Sequence, residues 1–140
     1  MLVTVEISML ATPKAVPELR YLLRHHGYDV QLCASELLTN VVDHVGEGTP
    51  VTVRVARTGA NHTRVEVTDP DPRALPVLVG PAAATAESGR GLTLLDALAL
   101  RWGVEQRADR KTVWCELEEE TPNARLPVRG GGRSSRSTAG

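Results

Sequence analysis

Glu36-Leu37-Leu38-Thr39-Asn40-Val41-Val42-Asp43-His44 has the spacing of a helix with two unlike faces. At 100° per residue, Glu36, Asn40, Asp43 and His44 gather on one side, and Cys33, Leu37, Val41 and Val45 on the neighbouring one. A solvated helix face usually mixes charges of both signs, yet no Lys or Arg occurs from Asp29 to Val45. A carboxylate and an amide one turn apart are hard oxygen ligands, suited to a Mg²⁺ that keeps waters and phosphate oxygens. Taken alone, the run reads equally well as a polar helix surface. Its meaning depends on what the chain sets around it.

Working outward, the helix extends over about Val30 to Val45, with Asp29 as its cap and Gly46 and Gly48 as its stop. An earlier helix, Ala15 to His25, follows the start signal Thr12-Pro13 and ends at Gly27. Alternating residues predict strands at Leu2 to Ser8, Val51 to Val55 and Val65 to Val67, the last two forming a hairpin across Gly59-Ala60-Asn61. Residues 70–88 lose all periodicity, a loop too long to lack a purpose in a compact domain. A helix from about Gly91 to Arg101 follows, then strands near Val104 to Arg107 and Thr112 to Leu117. The order β-α-α-β-β-loop-α-β-β predicts an α+β two-layer sandwich: a mixed, mainly antiparallel sheet with three helices on one face.

The 140 residues suffice for one domain, read as 1–119, with 120–140 as a disordered basic tail of Pro, Gly, Ser and Arg. All 17 acidic residues lie in the first 120, beside 12 of the 16 basic ones, for a net charge of −5 there. Such a body, with only 3% aromatic residues and no Phe, argues against a nucleic-acid surface, which needs clustered cations or stacking rings. Cys33 and Cys115 sit in apolar stretches without metal-ligand spacing and read as buried free thiols in a reducing compartment. With no leader-like or membrane-length segment, a cytoplasmic location is expected.

Two further features carry chemistry. Val65-Glu66-Val67-Thr68-Asp69 delivers a carboxylate at a strand end, either as a turn-starting Asp before Pro70 or as an acceptor for a ligand amine. Glu87-Ser88-Gly89-Arg90-Gly91-Leu92 precedes a helix: two glycines permit close backbone approach, free N–H groups face an anion, and Arg90 can add a charged fork. It lacks the third glycine of a dinucleotide fingerprint and is also a plausible plain helix entry.

Together and in this order, these features resemble the histidine-kinase-like ATPases (Bergerat fold). Within them the chain is similar to the short stand-alone anti-sigma-factor or serine-protein-kinase type frequent in actinomycetes. The motif Glu-Leu-x-x-Asn-x-x-x-His is met by Glu36, Leu37, Asn40 and His44, followed by Ser88-Gly89-Arg90-Gly91-Leu92 and Lys111-Thr112-Val113-Trp114. The resemblance, over about Ser8 to Leu117, implies ATP and Mg²⁺ as cofactors. It implies Asn40 as the Mg²⁺ ligand, Glu36 as catalytic base, Asp69 as acceptor for the adenine amino group with Thr112 supporting it, and Gly89 and Gly91 at the phosphates. It implies a lid over Pro70 to Ser88, and a sigma factor or an anti-anti-sigma (STAS-type) protein as partner, with a homodimer left open. One departure is visible. Asp69-Pro70-Asp71-Pro72 has a carboxylate, Asp71, where the family has a glycine beside the base, and its prolines remove N–H donors. A non-catalytic binding module of the same fold is the alternative expectation.

Overall fold

The computed structural model describes residues 2–59, 61–73 and 95–119. Five strands form one sheet: β1 (Leu2–Ala11), β2 (Thr49–Gly59), β3 (His62–Asp69), β4 (Arg101–Gln106) and β5 (Lys111–Glu118), in the order β1-β2-β3-β5-β4. Every pairing among them is antiparallel, so the mixed sheet expected from the sequence is a purely antiparallel one. Helices α1 (Ala15–Leu22) and α2 (Tyr28–His44), with a helical segment at 95–98, complete a two-layer α+β fold.

The period of two divides the sheet into a wet and a dry face. On β3, Thr63, Val65, Val67 and Asp69 are buried, and on β5 so are Lys111, Val113, Cys115, Leu117 and, one residue past the strand, Glu119. Against these rows pack Leu19 and Leu23 near α1, Val30, Cys33, Leu37, Leu38 and Val41 of α2, and Leu95. Cys33 and Cys115 are free and buried. Their thiols meet across the layers, a hydrogen bond that holds Cys33 low and, with burial, pushes Cys115 up.

The other face carries an ion-pair lattice: Arg54 and Arg64 flank Glu66, Arg64 reaches Glu105, and Arg101 holds Glu116 at 2.7 Å. The Arg64 guanidinium also lies 4.2 Å from the Trp114 ring centre. Gly103, paired with Trp114, leaves space for that ring; a Cβ there would sit 3.0 Å from Cζ2.

Three boundaries depart from the expected ones. α1 stops at Leu22, not His25, because the Leu23 N–H is shared by Leu19 and Arg20 and Glu119 then engages His26 and Gly27. α2 opens at Tyr28 behind an extended Gly27, leaving Asp29 in the first turn, where its charge suits the helix N-terminus. At its far end the Gly46 N–H returns to the Val41 carbonyl, with Gly46 and Gly48 at φ 139° and 93°. The last helix reaches 98 and not Arg101: the Leu100 N–H bonds the Glu116 carbonyl, and Arg101 already pairs with β5.

Candidate functional site

The C-terminal half of α2 crosses the sheet where β3 ends and β5 begins. Sequence periodicity aimed a polar face there, and the fold buries much of it: Asn40 is 7% exposed, Glu36 and His44 are half-buried, and of the four only Asp43 is exposed. Leu37, Asn40, Val41 and His44 line a cavity whose opposite wall is Val67, Asp69, Lys111 and Val113. The cavity measures about 10 Å³, room for about one water. Among the described residues, Asn40 Nδ2 and His44 Nε2 are buried without hydrogen-bond partners. Orphaned buried polar atoms are rare, and with Asp69 Oδ2 on the opposite wall three of them belong to residues lining this one cavity, which points to a polar ligand. The Glu36 carboxylate also lacks a hydrogen-bond partner among the described residues.

Asp69 is placed as expected, at the end of β3 and facing α2, but its carboxylate is already engaged. Lys111 Nζ lies 2.8 Å from Oδ2 and donates to Oδ1 at 3.1 Å, with the two side chains 2% and 0% exposed. Oδ1 also accepts the Asp71 N–H at 2.8 Å, and Lys111 donates to the Asp71 carbonyl at 3.0 Å. The Asp71 carboxylate turns outward, accepting from the Arg73 N–H at 2.9 Å. What stands against Asp69 is therefore the Lys111 ammonium, rather than the Asp71 side chain that the sequence singled out.

Thr112 is not brought to Asp69. Its parity on β5 is opposite to that of Lys111, and its hydroxyl lies 2.7 Å from that of Thr68 on the wet face. A wider groove of about 570 Å³ runs along this end of the sheet, past Ser8, Leu10, Thr52, Thr68, Pro70 and Arg110. Gly89, Arg90, Gly91, Leu92 and the lid beyond residue 73 lie outside the described residues, as does the tail 120–140.

Two residues passed over in the sequence matter most in the fold. Lys111 and Glu119 terminate the inward row Lys111, Val113, Cys115, Leu117, Glu119, and charged residues on an apolar parity are the signal that could have found them. Glu119 accepts from the Gly27 N–H at 2.6 Å, the Thr63 hydroxyl at 2.7 Å and His26 Nδ1 at 3.2 Å. Burial pushes its carboxyl up, but the bonds from His26, Gly27 and Thr63 outweigh that and hold it at about 2.

Among the described residues, no helix is long and apolar enough to cross a membrane, and no three His, Cys, Asp or Glu side chains gather as a metal cage. For the cofactors implied by the sequence, the fit is divided. The α2 wall offers the buried amide of Asn40 and an unpaired Nδ2 able to donate to a phosphate oxygen. The sheet wall offers the Asp69 carboxylate, whose Oδ1 accepts two hydrogen bonds and whose Oδ2, 2.8 Å from the Lys111 ammonium, has no hydrogen-bond partner among the described residues.

Comparison with known proteins agrees with this architecture. An uncharacterized protein of Streptomyces coelicolor is 58% identical over 104 residues, covering 73% of this chain and 99% of that protein. The sequence model of the histidine kinase-like ATPase domain matches residues 10–116, from the end of β1 into β5, and takes in both walls of the cavity. The chain belongs to the histidine kinase-like ATPase domain family.

Proposed function

We propose that the protein is an ATP-binding regulator that acts on a partner protein, similar to the anti-sigma serine kinases. One observation carries the reading: Asn40, deep in the α2 wall of a histidine kinase-like ATPase domain, has a buried Nδ2 without a partner beside the equally unpartnered Nε2 of His44. In this reading the Asn40 amide oxygen would hold a Mg²⁺, which would offset the charge of bound phosphates. The run Gly89-Arg90-Gly91-Leu92, which the resemblance assigns to the phosphates, would hold them through its backbone amides and the Arg90 guanidinium. ATP supplies a transferable phosphoryl group. The half-buried Glu36 carboxylate, without a hydrogen-bond partner among the described residues, would accept the proton of an incoming serine hydroxyl from an anti-anti-sigma (STAS-type) partner.

Thermal unfolding with and without Mg·ATP tests the first part: wild type gains stability and Asn40→Ala does not. Equal shifts in both would sink the assignment. Transfer of label from γ-labelled ATP to candidate partner proteins, lost in Glu36→Ala, tests the second part.

A second reading, a module that binds nucleotide and partner without phosphoryl transfer, is favoured by the ion pair on Asp69. It expects the same Asn40-dependent shift and no transfer to any candidate.

A further inference from the structure

We infer that the protein pairs with a second copy of itself along the outer edge of β1, the two strands running antiparallel about a two-fold axis at Ile7. The surface lies apart from the cavity, and the inference does not rest on nucleotide binding.

The two edges of the sheet are unlike. β4 is six residues long, carries Arg101 and Glu105, and is tied down by its side chains: Trp102 Nε1 donates to Asp96, and the Gln106 amide donates to the Pro72 carbonyl. β1 is ten residues long and carries a single charge, Glu6, with no Pro, Lys or Arg. Among the described residues, no strand pairs with its outer side. Sheet edges are usually blunted by shortness, charge, Pro or a bulge, because their free N–H and C=O groups accept another strand. β1 has a bulge between Val3 and Val5, but Val5 to Ala11 keep a regular register. Its surface is also apolar: Leu2, Val3 and Leu10 are 68%, 38% and 57% exposed, and Val5, Ile7 and Met9 touch the core while only half-buried.

The strand's own sequence selects a second copy as the occupant. Residues opposite each other in an antiparallel pair share a face, so a two-fold axis normal to the sheet passes through a residue facing its own copy. An axis at Glu6 sets two carboxylates together, and one at Ser8 sets Glu6 against Leu10. An axis at Ile7 does neither. On the dry face Ile7 meets Ile7 and Val5 meets Met9; on the wet face Glu6 meets Ser8, whose hydroxyl can donate to it. Arg54 stands 4.0 Å behind Glu6 on β2, so each carboxylate lies between a cation of its own copy and a donor of the other. Ser8, Met9 and Leu10 also line the groove of about 570 Å³ beside Pro70. In this register Glu6 and Thr4 of the second copy, opposite Ser8 and Leu10, extend the outer wall of that groove. One strand edge is smaller than the about 800 Å² per partner of a standard interface, which places the dimer in the micromolar range.

The test is sedimentation velocity of the full chain from about 1 to about 100 μM. Wild type is expected to pass from monomer to dimer over this range. Ser8→Glu sets carboxylates opposite each other at two symmetric places and weakens the dimer about tenfold, the scale of two like-charge pairs. Ser8→Lys puts an ammonium opposite Glu6 and tightens it about threefold. Ser8 is exposed, so both variants keep the fold, which circular dichroism checks. The same two charges at Gln106, on the other edge, control for net charge and change the dimer less than threefold. A chain that stays monomeric throughout overturns the inference. So does a dimer indifferent to the sign of the charge at Ser8, or one that answers equally to charges at Gln106.

Discussion

The two ends of one buried stripe make an instructive comparison. The inward rows of β3 and β5 run antiparallel through the core and finish in a buried acid at each end, Asp69 at one and Glu119 at the other. Glu119 is held by three donors from separate places: a backbone N–H at the start of α2, a β3 hydroxyl and an imidazole. That arrangement ties the end of β5 to the α1–α2 turn and caps α2, and it leaves nothing for a ligand to complete. Asp69 is held mainly by one flexible side chain, in a cavity whose opposite wall has unpaired polar atoms. Distributed, rigid donors make a structural lock. A single long cation makes a contact whose loss leaves one buried charge uncompensated.

The largest effect that would break this comparison is expected from Asp69→Ala. It strands a buried ammonium and costs about 3–5 kcal/mol in urea unfolding. A loss under about 1 kcal/mol would show that Lys111 simply swings to solvent, and that this end is not held by the pair.

Glu119→Gln comes next, at about 2 kcal/mol, because bonds to a charged acceptor become bonds to a neutral amide. This end also has a pH signature. The Glu119 carboxyl is held at about 2 in the fold, below its ordinary 4.5. Its stabilisation is therefore complete above about pH 4.5 and fades as the pH falls toward 2. Urea unfolding of wild type and Glu119→Gln across that range should show the gap between them closing on the acid side. A gap that stays constant would remove the carboxylate from the account.

Thr63→Val leaves Glu119 one donor short, with an expected loss of about 1 kcal/mol and a carboxyl that titrates at higher pH. Smallest is Arg101→Ala on the wet face, where the guanidinium is largely exposed although its pair measures 2.7 Å. A change within about 1 kcal/mol, shrinking with added salt, sharpens the contrast between buried and exposed pairs.

Local pattern carried much of this protein. The alternation of Val51, Val53 and Val55 and of Val65 and Val67, the helical spacing around Leu37 and Val41, and the stop at Gly46 and Gly48 all act within a few residues. Elements, their order and the two-layer class follow from them. The cavity residues Asn40 and Asp69 were legible for the same reason: each stands at a definite position on its own helix or strand.

What the tertiary structure alone decided is the state of those residues. Whether Asp69 is free or occupied depends on Lys111, 42 positions away, and the end of α1 depends on Glu119, 93 positions from His26. Parity placed both charged residues on the dry face and Thr112 on the wet one, but parity names no partner. Partners arise when strand register and helix docking bring distant ends of the chain together. At those ends a buried charge takes whichever donor or acceptor it meets, because leaving it unpaired costs several kcal/mol or more.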